Sequence, residues 1–117
     1  MRGIVIPILL AVFLISPKSA AALTGNELQE YCSGPKGSGF GLACAEYIHG
    51  FVSGFLAADH TKRKDARILC FPMDATIGQA RRIVEKYMRD NPQSLHQDAS
   101  IIVGKAILLA FPCKNSN

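Results

Sequence analysis

The sequence predicts a small all-α domain of four helices, stapled by two disulfides and preceded by a cleaved export signal. Three observations carry that prediction. Apolar residues recur at three- and four-residue intervals through the long segments after residue 40, which is helical rather than strand periodicity. Four cysteines, Cys32, Cys44, Cys70 and Cys113, lie beyond the N-terminal apolar stretch. That stretch itself has the order of a secretory signal: Met1-Arg2, a twelve-residue apolar run from Ile4 to Ile15, Ser16-Pro17-Lys18, then the small residues Ser19 to Ala22.

The apolar run is shorter than the ~20 residues of a transmembrane helix, and Pro7 and the Ser16-Pro17 pair shorten it further. Cleavage is expected after Ala22, so residues 1–22 form the signal and residues 23–117 a single domain of 95 residues exported into an oxidising space. A domain of that size holds one core and gains from covalent staples. An even cysteine count behind an export signal favours disulfides over metal or redox chemistry. No Cys-x-x-Cys occurs, and cysteine spacings of 12, 26 and 43 match no zinc knuckle. Without Arg2 and Lys18, eleven basic residues face nine acidic ones, a net charge of +2 that is no nucleic-acid signature.

Thr24 and Glu27 have capping-box spacing, and Leu23 with Leu28 fits a hydrophobic staple, so a first helix is expected from about Gly25 to Tyr31. Four glycines and Pro35 make Ser33 to Gly41 too broken for regular structure. Tyr47, Ile48, Phe51, Val52, Phe55 and Leu56 form one stripe on a second helix, roughly Gly41 to Ala58. Gly50 and Gly54 sit on that helix at a cost of up to about 1 kcal/mol each relative to alanine. Close approach of another backbone explains them, either within the monomer or at a dimer seam.

Thr76 with Gln79 offers a second capping box and so the start of a third helix, with Ile77, Ala80, Ile83, Val84, Tyr87 and Met88 inward and Arg81, Arg82, Glu85, Lys86 and Arg89 facing water. Asp90-Asn91-Pro92 ends it. Ser94 with Gln97 is read as the cap of a fourth helix, whose core face is Ala99, Ile102, Val103, Ala106 and Ala110. Ile101, Leu108 and Leu109 fall off that face, so the helix is central to the bundle or shared with a second subunit, and Ile101 and Leu108 join Gly50 and Gly54 as candidate packing residues.

A short connection makes the third and fourth helices antiparallel neighbours, which brings Cys70 beside Cys113 and leaves Cys32 for Cys44. In the chain-entropy model, closing these loops contributes roughly 3 and 4 kcal/mol, comparable to the whole stability of a small domain.

Chemistry-bearing constellations are sparse. Gly34, Gly37, Gly39 and Gly41 lack the preceding strand and the Lys-Ser or Lys-Thr of a phosphate loop. Glu46 with His49 and Asp59 with His60 could suggest acid-base work, but no nucleophile motif accompanies either pair. His96 is expected in the first turn of the fourth helix in a solvent or capping role. Neither an enzyme nor a cofactor or metal site is expected. The one dense basic run, Lys62, Arg63, Lys64 and Arg67, reads as a solvated loop or as a patch that steers an acidic partner.

The ordered set Asn26-Glu27-Leu28, Tyr31-Cys32, Cys44, Tyr47-Ile48, Gly50, Cys70, Pro72, Thr76, Gly78-Gln79, Lys86-Tyr87, Pro92, His96, Ala99-Ser100, Val103, Ala106 and Phe111-Pro112-Cys113 resembles the Tai/Rap family of type VI secretion immunity proteins. The resemblance covers almost all of residues 24 to 113. It implies a periplasmic helical homodimer that protects its producer by docking over the active site of a secreted peptidoglycan amidase. Toxin contacts are particular to each pair and do not carry over by motif. The connection bearing Asp59, His60, Lys62, Arg63, Lys64 and Arg67 is the expected meeting point, as a charged segment between two helices without a capping or core role. The reading from another class is a small acid-stress chaperone, for which the fourth helix supplies apolar surface. Two disulfides would resist its opening, and no carboxylate cluster stands ready to trigger it.

Overall fold

A computed structural model describes residues 21–114; the signal expected over residues 1–22 lies almost wholly outside the described residues. Four helices make the domain: α1 (Gly25–Cys32), α2 (Gly39–His60), α3 (Ile77–Asp90) and α4 (Ala99–Ala110), with one-turn 3₁₀ segments at Lys64–Ala66 and Pro92–Ser94. The core draws on all four, with Leu28 from α1, Ile48 and Val52 from α2, Val84 and Met88 from α3, and Ile102, Val103 and Ile107 from α4.

The expected capping box starts α1. The Glu27 N–H donates to the Thr24 hydroxyl oxygen at 3.3 Å, and the Thr24 N–H donates to the Glu27 carboxylate at 2.7 Å. The next donors are met from across the fold, since Gly25 N–H donates to Gln97 O and Asn26 N–H to Leu95 O, both at 2.8 Å. Gly25 has to be glycine for this approach, because a Cβ would stand 2.9 Å from Leu95 O.

The same junction corrects the start of α4. Ser94 ends the 3₁₀ segment, residues 95–97 form a turn and bend, and α4 begins only at Ala99, with Asp98 making no side-chain cap. Ala99 N–H donates instead to Leu23 O at 2.7 Å, so α1 and α4 cap one another through backbone. His96 therefore lies in the turn before the helix. Further along α4, Ile107 is fully buried while Ala110 is exposed, which reverses those two positions of the expected core face.

The glycine-rich segment is less broken than its composition implies, because α2 opens at Gly39, with Ser38 Oγ accepting from Gly41 N–H at 3.1 Å. A Cβ on Gly41 would meet Pro35 O at 2.2 Å, so that glycine allows the chain to fold back tightly enough for Cys32 to reach Cys44. The second disulfide joins Cys70 to Cys113. Around it, Cys70 N–H donates to Phe111 O at 2.9 Å and Cys113 N–H to Ile68 O at 3.2 Å, and Phe71 meets Phe111 edge-on at 4.9 Å between ring centroids.

On α3, Thr76 accepts from Gln79 N–H, one half of the expected capping box, without a return bond from the Gln79 side chain among the described residues, and Ala80, Val84 and Met88 are buried. Arg81 and Glu85 do not face water. The Arg81 side chain is 12% exposed and paired with Glu85 at 3.2 Å. Its other nitrogens donate to Cys32 O at 2.9 Å and Gly41 O at 3.3 Å. One guanidinium thus ties the end of α1 and the start of α2 to α3, beside the first disulfide, at a helix C-terminus where positive charge is favourable.

Gly50 and Gly54 are exposed, and a Cβ at either would meet nothing within 4 Å. Close packing within the monomer therefore does not explain them. Gly50→Ala and Gly54→Ala are each expected to stabilise the monomer by up to ~1 kcal/mol, as helix propensity dictates. Urea unfolding of the two variants measures it.

Candidate functional site

The connection from Thr61 to Thr76, between α2 and α3, holds most of the charged side chains expected to meet a partner, and its conformation is set from the end of α2. Asp59 is only 1% exposed. Its Oδ2 accepts from the backbone N–H of Leu69 at 3.1 Å and of Ile68 at 3.2 Å, and Lys62 Nζ lies 3.0 Å from Oδ1. Arg67 folds back to donate to His60 O at 3.2 Å, and the Thr61 hydroxyl donates to Ala58 O at 2.7 Å. The expectation that this segment has no capping or core role is thus corrected for Asp59 and Arg67. Asp59 is a clasp that fastens the far end of the connection to the helix, and Arg67 satisfies a carbonyl of the last turn, where a cation suits the helix dipole.

The remaining charges stand outward. Arg63 pairs with Asp65 at 3.0 Å with both side chains largely exposed, a pair worth little in stability. His60 and Lys64 are exposed and form no ion pair among the described residues. Beyond the clasp, Ile68 and Met73 expose apolar side chains on the same connection. Neither was picked out by helical periodicity, which has no purchase in a loop. The available signal was local: a large apolar residue between Pro72 and Asp74, where neither core nor cap calls for one.

Elsewhere, three shallow hollows of about 400–430 Å³ lie between α1 and α3, between α3 and α4, and against the stacked rings of Tyr31 and Phe40. No histidine lines any of the three. His49, His60 and His96 are all exposed, on the middle of α2, its end, and the turn before α4. The Sγ atoms of Cys32 and Cys44 and a Glu85 oxygen come within 4.8 Å of one another. Both sulfurs are joined in a disulfide and Glu85 is paired with Arg81, so this trio has no thiolates to offer a metal.

A family model for Rap1a immunity proteins matches residues 24–113. The match runs from the Thr24 cap to the second half of the Cys70–Cys113 bridge, which is the whole folded unit. The chain belongs to the Rap1a immunity protein family. Membership implies binding of a cognate toxin, and proteins of this family are generally not enzymes. The resemblance to Tai/Rap immunity proteins drawn from the sequence is therefore upheld over the same span. Comparison with curated proteins and with solved structures gives no match.

In this Rap1a-family domain the Asp59 clasp carries a pH signature. Burial pushes its carboxyl pKa up, but hydrogen bonds from Leu69 N–H, Lys62 and Ile68 N–H outweigh burial and hold it below its ordinary value of 3.8. A carboxyl depressed in the folded state stabilises the fold fully at pH above its unfolded value, and that contribution fades as pH falls through the lowered folded value. Thermal unfolding followed by circular dichroism from about pH 6 to pH 2 should therefore fall less steeply in Asp59→Asn than in the wild type. At neutral pH the variant should melt lower by ~4 °C or more, because its amide oxygen can still take the two backbone donors but its NH₂, a donor without charge, replaces the oxygen that faces Lys62.

Proposed function

We propose that this protein is an exported immunity protein, acting in the periplasm, that binds a peptidoglycan amidase delivered by type VI secretion and occludes its active site. The family match across the whole folded unit carries this reading. The two disulfides support it independently, since such bonds persist in oxidising compartments such as the periplasm. An occluding protein needs surface, not catalytic groups. It must form quickly, which exposed charge promotes, and dissociate slowly, which requires buried apolar anchors.

The active form is read as a homodimer. Only 22% of the most apolar stretch of α2 is buried in the monomer, and Gly50 and Gly54 leave open space along its exposed side. On α4, Ile101 is 45% exposed and Leu108 is partly so, giving a second apolar strip without a partner in the monomer. If the glycines form the seam, the alanine variants that stabilise the monomer will loosen its self-association, because backbones can no longer approach as closely.

The test is a pull-down from the envelope and secreted fractions of the producing cell, using the mature oxidised protein and identification by mass spectrometry. A stoichiometric cell-wall amidase that loses activity in the complex is the expected outcome. A broad mixture of unfolded envelope proteins, enriched at acid pH, would replace this reading with the chaperone one. With that amidase in hand, Arg63→Glu/Lys64→Glu, which leaves the Lys62–Asp59 pair intact, should slow association by about tenfold and flatten its salt dependence. Unchanged association kinetics would remove the basic turn from the interface.

A further inference from the structure

The connection between α2 and α3 carries a second turn whose tip has no role in the fold. Ala75 N–H donates to Pro72 O at 3.1 Å, closing a turn over residues 72–75. Met73 projects from it fully into solvent, at 104% of its reference exposure. The backbone on either side is fixed. Before it stand the Cys70–Cys113 bridge, the Cys70 N–H bond to Phe111 O and the Phe71–Phe111 ring contact. After it, Thr76 caps α3. Met88, by contrast, is 1% exposed in the core, so the two described methionines have opposite environments.

Position adds to presentation. Leu69 N–H is held on Asp59, and the four residues from Leu69 to Met73 reach at most about 14 Å. Met73 therefore lies no farther from the clasp, where the basic turn also starts, than the span of one interface patch of ~800 Å². Ile68, 45% exposed, lies between them along the chain. An adaptable apolar side chain on a fixed turn, in a connection that also carries exposed cations, has the form of an interface anchor with a polar rim. A fixed turn also loses little conformational freedom on docking.

We propose that Met73 is the apolar anchor of the toxin-binding surface, seated in an apolar slot of the toxin whose border carries acidic groups facing Arg63 and Lys64. This rests on the toxin-binding reading above.

The experiment is inhibition of the purified amidase recovered in the pull-down, titrated with the full mature protein carrying Met73→Asp or Met73→Leu. Met73→Asp should weaken inhibition by about 30-fold or more, as loss of an interface hot spot does. Met73→Leu should stay within about threefold. Both should melt with the wild type. Peroxide supplies a second route: it transfers one oxygen to the Met73 sulfur, leaves water, and converts the thioether to a polar sulfoxide. Treated wild type should lose inhibition and treated Met73→Leu should keep it.

Inhibition by Met73→Asp equal to wild type overturns the proposal. So does a Met73→Asp variant that changes oligomeric mass while inhibiting normally, which would place the residue between copies of this chain. If no amidase is recovered, the toxin-binding reading fails first and this one falls with it. An amidase inhibited equally by all variants sinks the anchor alone.

Discussion

Closure of the chain between Cys70 and Cys113 is the constraint on which the rest of the domain depends. The bridge joins residues 43 positions apart, and the chain between them contains all of α3 and α4, so joining its ends requires those helices to run out and back as a hairpin. Restricting a loop of that length in the unfolded chain contributes about 4 kcal/mol in the entropy model, a large share of what a domain this small can hold. The bridge also does what a disulfide alone would not. It brings Leu69 opposite Pro112 in a short antiparallel pairing, and so converts the end of a long loop into ordered backbone.

Asp59 extends that order toward α2. Its buried carboxylate takes the Ile68 and Leu69 N–H groups from one side while the Cys70–Cys113 junction uses Ile68 O and Cys70 N–H from the other. The strand-like segment 68–70 is consequently held between a charge and a covalent bond. A buried carboxylate is tolerable here because three donors converge on it; removing them would leave an uncompensated charge in the core. The exposed basic turn is the length of chain left over between the end of α2 and this clasp.

What was legible in the sequence was whatever depends on neighbours along the chain. The Thr24-Glu27 box, the Thr76 cap, the α2 stripe and the pairing of four cysteines all follow from local spacing or from the order of helices. The start of α4 was not legible, because its first donor is met by Leu23 O, a partner more than seventy residues away, and not by Ser94. Arg81 looked like one more polar residue on a wet helix face. Nothing local reveals that Cys32 O and Gly41 O would converge on it. Asp59 misled for the same reason: beside His60, Lys62 and Arg63 it reads as part of a solvated run, and only the return of the chain at Ile68 buries it.

The division between fixed base and exposed tips has a consequence for a binding protein. Tight binding of a cognate toxin needs the free protein to hold a shape close to the bound one, or ordering on contact consumes the affinity that contact supplies. A bare loop of this length in a domain of this size would be expected to sample many conformations. Here Asp59, the Leu69–Pro112 pairing and the Cys70–Cys113 bridge confine the freedom of the connection to two short turns. The outward side chains on those turns, Arg63, Lys64 and Met73, unlike Lys62 and the residues that hold the turns, touch nothing the fold requires. They are free to change to match a particular toxin while the clasp beneath them stays the same, which is the separation of duties that a family of paired inhibitors needs.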